Sequence, residues 1–212
     1  PYNSTRGQSV AGRTYLSTNT AIAANQFEQR VDGDYTGSTD EIIQWGACKW
    51  GFDEDHIRAQ VYAESSWFAG QWGDCGQGAR PETGGEGGCA SVGPLQVKAA
   101  GMPRTDHPGL WPIVANSTAM NIDYALAIKR LCYEGLESWL ADTADSGVPY
   151  RAGDEWGCVG RWFSGDWHDA GALRYVEAVK SLLSERKWTT RFVGCPDWRN
   201  NRHCSNGGLR GY

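Results

Sequence analysis

Glu64 is the residue whose neighbours most favour chemistry. It ends an apolar helical lead-in, Val61-Tyr62-Ala63-Glu64, and is followed by Ser65-Ser66-Trp67 and a Gly- and Cys-rich loop. Cleaving a glycosidic bond requires a proton for the leaving oxygen, hence a carboxylic acid still protonated near neutral pH. Two features push Glu64 in that direction. A helix C-terminus carries partial negative charge, which disfavours a carboxylate, and the aromatic neighbours Tyr62 and Trp67 desolvate it. Downstream, Ser91-Val92-Gly93-Pro94-Leu95-Gln96-Val97 supplies an amide. Gln96 offers donors and an acceptor to a sugar hydroxyl or acetamido group, and Gly93 lets the backbone approach a ligand closely.

A second carboxylate decides the outcome of such a reaction. Inverting hydrolysis needs a base across the sugar ring, with the two carboxyls roughly 6.5–9.5 Å apart. Asp74, Glu82 and Glu86 lie in the loop after Glu64, and Asp166 lies in Ser164-Gly165-Asp166-Trp167. Asp74 is the preferred partner, because a Cys75–Cys89 staple would hold it near the cleft.

Other motifs carry less. Asp32-Gly33-Asp34-Tyr35-Thr36-Gly37 imitates the start of a calcium loop, but the twelfth position is Ile43 instead of Glu, so a simple turn is expected. No Cys-x-x-Cys spacing exists for zinc, and neither metal nor cofactor is expected. Asn3-Ser4-Thr5 and Asn116-Ser117-Thr118 fit a glycosylation acceptor, the second equally a helix cap. Four histidines without Gly-x-Ser-x-Gly disfavour a Ser-His-Asp triad.

The 212 residues suffice for one domain with a real core. Hydrophobic residues at 40% and charged residues at 21% are globular proportions. No apolar run reaches membrane-spanning length, so no membrane insertion is expected. Net charge is −5 without basic runs, which argues against a nucleic-acid partner and leaves neutral polysaccharides open. Seven cysteines indicate a secreted, disulfide-bearing protein, and the start at Pro1 fits a processed chain. Cys75 with Cys89 and Cys195 with Cys204 are plausible local pairs. Two of Cys48, Cys132 and Cys158 could join helices, and the odd count leaves one thiol over. Eleven tryptophans suggest sugar stacking as well as core, about half in each role.

The elements that must hold these residues are helices. Residues 1–37 form an irregular arm with at most one helix, near Ala21–Phe27. Ser38-Thr39-Asp40-Glu41 is a capping box for a helix that ends at Gly51, and Asp53 caps the helix carrying Glu64. The glycines of residues 69–90 predict a long loop, and Pro103, Pro108 and Pro112 keep the next stretch irregular. Further helices are expected from Asn116 or Ser117 to Gly135, over Glu137–Thr143, from Asp154 to Phe163, and from Asp169 through Leu183. No alternating strand pattern of useful length appears. The fold class is therefore mainly α.

Glu64-Ser65-Ser66-Trp67 with Gly93-Pro94-Leu95-Gln96 resembles the Glu-Ser-x-aromatic and Gly-x-x-Gln motifs of the lysozyme-like transglycosylase family, and in outline the goose-type lysozymes. Asn121-Ile122-Asp123-Tyr124, Gly160 through Gly165, and Tyr175-Val176 extend the resemblance over roughly Ser38 to Leu183. It implies a lysozyme-like single domain at 38–188 with the long loop beside a cleft, and the Cys195–Cys204 pair would staple a tail at 189–212. It further implies a secreted, monomeric glycosidase or lytic transglycosylase. Peptidoglycan is the first substrate and a chitin-like or other glycan the next. In that reading Glu64 is the acid and Asp74 positions water. Ser91, Gly93 and Gln96 orient the sugar, and Trp67 and Trp162 wall the cleft. The tyrosine that touches the acid in the family aligns with Trp162, and the following asparagine with Phe163. These departures motivate the alternative of a non-catalytic polysaccharide-binding protein.

Overall fold

A computed structural model describes residues 2–9, 26–27, 29–75, 89–98, 111–144 and 146–190 of the chain. Among them the fold is mainly helical: α1 Thr39–Trp50, α2 Glu54–Ser65, α3 Trp111–Asn116, α4 Thr118–Tyr133, α5 Glu155–Ser164 and α6 Ala170–Glu185. Short 3-10 turns cover Tyr2–Ser4, Ser138–Thr143 and Lys187–Thr189.

Local chemistry starts and stops these helices. Ser38 accepts a hydrogen bond from the Glu41 amide, and Glu41 accepts one from the Ser38 amide at 2.7 Å. Gly51 ends α1 in the left-handed region, where glycine carries no Cβ penalty. Asp53, Ser117, Asp154 and Asp169 cap α2, α4, α5 and α6 through their side chains, each satisfying amides that have no partner inside the helix. Pro112, expected to keep its stretch irregular, instead sits in the first turn of α3, where a missing N–H breaks no helical bond.

Beyond the helices lies a sheet that the sequence reading lacked. β1 (Trp72–Gly73), β2 (Ser91–Val92) and β3 (Val97–Lys98) pair antiparallel in that order. Residues 72–73 fall inside the stretch expected to be loop. The strands are too short for a period-two pattern to be visible, and Gly73 pairs opposite Ser91. The Cys75–Cys89 disulfide joins the end of β1 to the approach of β2.

Most of the core lies between α1, α2, α4 and α6: Ile42, Ile43, Ile57, Val61, Ile122, Leu126 and Val179 are buried completely or nearly so. Helix α1 approaches α4 so closely that a Cβ on Gly46 would lie 2.7 Å from Ile122 Cγ2. In the same way Gly160 of α5 faces Ala172 of α6. The Cys132–Cys158 disulfide adds a covalent link from α4 to α5, and Cys48 is an exposed free thiol.

The N-terminal segment is fastened to this core. Buried Asp123 accepts the amides of Asp32 and Gly33 at 2.9 and 2.8 Å, the Lys49 ammonium at 2.8 Å and the Trp50 indole N–H at 2.7 Å. Asp32 also pairs with Lys49, and Asp34 with Arg6. Among the described residues no helix is long and apolar enough to cross a membrane. The expected helix near Ala21–Phe27 lies mostly outside the described residues. So do the loop carrying Glu82 and Glu86, the residues around Pro103 and Pro108, and the Cys195–Cys204 tail.

Candidate functional site

Glu64 occupies the penultimate position of α2, and a left-handed exit follows it. Ser66 and Trp67 have φ of 50° and 63°, a strained pair of non-glycine residues that is held by its surroundings. Ser65 returns a hydrogen bond to the Val61 carbonyl at 3.1 Å. The Trp67 indole donates to the Arg58 carbonyl at 3.1 Å, and its side chain is only 5% exposed. Trp67 is thus a core anchor that fixes the helix end, and it does not wall the cavity.

The cavity beside Glu64 has a volume of about 470 Å³, within the range of small-ligand sites. Three walls meet there. Ala63 and Glu64 come from α2, Asp74, Ser91, Gln96 and Lys98 from the sheet and its turns, and Arg161, Trp162, Phe163 and Tyr175 from α5 and α6. Burial raises the Glu64 pKa to about 7, and the Asp74 charge adds to the rise. A hydrogen bond from Tyr175 and the Lys98 charge oppose it. The Tyr175 hydroxyl donates directly to Glu64 Oε1, and burial, with Glu64 beside it, pushes that phenol well above its ordinary pKa. Tyr62 and Trp67, expected to desolvate Glu64, do not line the cavity.

Strand register gathers the polar wall. Ser91 faces Gly73 on one side and Lys98 on the other. Its hydroxyl lies 3.1 Å from both Asp74 Oδ2 and Gln96 Oε1, and its single proton serves one of them at a time. Lys98 Nζ pairs with Asp74 Oδ2 at 3.1 Å. Gly73 is required here, because a Cβ would collide with Gln96 Oε1 and Ser91 Oγ. The Gln96 amide nitrogen donates to the Gln71 and Gly93 carbonyls at 3.2 and 2.9 Å. Both of its protons are therefore occupied, and only Oε1 remains to orient a ligand.

Gly93 has a different task from the one expected. With φ of +81°, it sits where a Cβ would strike the Asn121 carboxamide. That carboxamide donates to the Val92 and Val114 carbonyls and accepts the Leu95 amide at 3.0 Å. Gly93 therefore serves the packing of the turn against α4 and is not among the lining residues.

Trp162 does line the cavity, but its indole N–H is committed to the Leu95 carbonyl at 3.0 Å. The hydroxyl that reaches the acid comes from Tyr175, one full helix later. Sequence reasoning missed Tyr175 in this role, together with Lys98, Arg161 and Phe163. The available signals were Lys98 flanking the hairpin turn Gly93–Gln96 and an aromatic hydroxyl on the apolar stripe of α6. Asp166 is exposed and away from the cavity. Of the tryptophans, Trp50, Trp67, Trp167 and Trp188 are buried, and Trp162 alone lines this cavity among those described.

No protein-family model, no curated protein and no solved structure matches this chain.

Proposed function

We propose that this protein is a secreted, monomeric glycosidase of lysozyme-like type that cleaves a β-linked polysaccharide, with peptidoglycan first and chitin-like glycans next. The observation that carries the reading is the hydrogen bond from the Tyr175 hydroxyl to Glu64, both lining one cavity, where burial raises the Glu64 pKa to about 7. A carboxyl half-protonated at neutral pH is matched to protonating a glycosidic oxygen. Tyr175 holds one carboxyl oxygen, which leaves the other to carry the proton toward the substrate. Once the leaving group departs, the positive charge on the sugar is captured in one of two ways. Water positioned by Asp74, which takes its proton, gives hydrolysis; the substrate's own hydroxyl, passing its proton to the now ionised Glu64, gives an anhydro-sugar. Ser91 and Gln96 Oε1 orient the ring, and Trp162 forms part of the wall.

A second reading is a non-catalytic polysaccharide binder. The Lys98–Asp74 ion pair favours it, because a carboxylate already held by a cation is less free to direct water. Mass spectrometry of soluble fragments released from purified peptidoglycan separates the cases. Reducing-end fragments support hydrolysis, and fragments lighter by one water support intramolecular capture. Glycan pull-down without released product would leave only the binder.

A further inference from the structure

Phe163 is 55% exposed, although it lines the same cavity as Glu64. A large aromatic ring held in water forfeits most of its burial free energy, and here nothing of the described chain covers one side. Its other face is stacked on Tyr175, with ring centroids 4.8 Å apart and planes 7° from parallel. Tyr175 in turn is held at its far end by Glu64. Phe163 is therefore a flat surface oriented by the same tyrosine that holds the acid.

Resting on the reading of the cavity as a glycan-cleaving site, we infer that the open face of Phe163 is the stacking platform for the sugar ring next to the cleaved bond. The ring it takes is a pyranose with equatorial substituents, as in a β-1,4-linked N-acetylglucosamine chain. Such a ring presents only C–H groups on its faces and places its hydroxyls at the rim. Aromatic faces pack against the first while polar groups bind the second. The cavity is built for that combination. Ala178, Leu182 and Phe163 supply apolar surface, and Ser91, Gln96, Asp74 and Lys98 supply the polar rim. A wholly apolar occupant would offer that polar rim no hydrogen-bond partner. A sugar with an axial hydroxyl on the stacking face would be lifted off the ring.

Phe163 stands in the last turn of α5, just ahead of the left-handed cap Gly165. Its neighbour Trp162 points inward, with its N–H on the Leu95 carbonyl. The two aromatic residues thus divide the work, Trp162 closing the cavity wall and Phe163 presenting a free face. Consecutive helical residues project about 100° apart, which sends the two rings in different directions.

The test is calorimetric binding of the N-acetylglucosamine tetramer to the Glu64→Gln protein, in which the missing acid leaves the ligand intact. Adding Phe163→Ala is expected to weaken Kd by about tenfold or more, and Phe163→Trp to keep it within about threefold. Phe163→Leu separates platform from support, because leucine still covers Tyr175 but offers no flat face. It is expected to behave like alanine. Binding that survives in the alanine or leucine variant, or no binding of the tetramer to the parent protein, would overturn the platform. Phe163-dependent binding together with a wild type that cleaves nothing would remove the glycosidase reading and leave the platform standing.

Discussion

Tyr175 and Glu64 lie 111 residues apart in sequence and share one hydrogen bond, the phenol donating to the carboxyl. That bond ties α6 to the end of α2 and sets the orientation of the Glu64 carboxyl. It also opposes the effect of burial, since a donor to the charged form favours ionisation. The acid's pKa near 7 is thus set first by burial against one phenol, with the Asp74 and Lys98 charges acting in opposite directions.

Tyr175→Phe removes the donor and leaves the burial. The Glu64 pKa rises further, and the alkaline limb of the activity profile moves to higher pH. Lost orientation lowers kcat, on the order of tenfold. A pH–rate profile of kcat/KM checks both, and a limb that stays in place would show that the hydroxyl does not act on the acid.

Asp74 and Lys98 pull Glu64 in opposite directions, the first raising and the second lowering its pKa. Asp74→Asn is therefore expected to move the alkaline limb down in pH, and Lys98→Met to move it up. If water is the acceptor, Asp74→Asn also costs roughly 10²-fold in rate. Limbs shifting in the same direction for both variants would contradict the charge arrangement.

Stability carries the same signature with its own sign. Glu64 titrates at about 7 in the folded chain against an ordinary 4.5, so the folded state holds the proton more tightly. The wild type therefore loses stability as pH rises from about 4.5 through about 7. Glu64→Gln cannot ionise and escapes that loss. It is expected to be more stable than wild type at pH 8, on the order of 1–3 kcal/mol, with the gap closing toward pH 5. Urea unfolding at the two pH values measures it.

The turn that carries Gln96 depends on Gly93 and Asn121. Gly93→Ala places a Cβ against the Asn121 carboxamide at a positive φ and is expected to cost about 2–4 kcal/mol. Asn121→Ala leaves the Leu95 amide and two carbonyls without their partner, at about 2–3 kcal/mol. Thermal unfolding reads both, and loss of activity at temperatures where each variant remains folded would report the displaced Gln96.

What was legible in the sequence was what local chemistry determines. Ser38, Asp53 and Asp169 could be read as caps because the side chain and its amide partner lie within three residues. Glu64 stood out by its flanking residues, and Asp74 by its neighbour Cys75. The rest is tertiary. Strands of two residues have no period, so the sheet that brings Ser91, Lys98 and Asp74 together left no pattern. Tyr175 lies on the same stripe as Val176 and Val179 and reads as core until α6 is laid against α2. Trp67 erred the other way: an aromatic beside the acid in sequence turns into the core, because Ser66 and Trp67 leave the helix in the left-handed conformation.

The most direct measurement compares cleavage of peptidoglycan by the wild type and Glu64→Gln at pH 6, with far-UV circular dichroism showing both folded. With Glu64 as the proton donor, the variant is predicted to lose about 10³-fold or more of the activity. Activity in the folded variant within about tenfold of wild type would contradict that role.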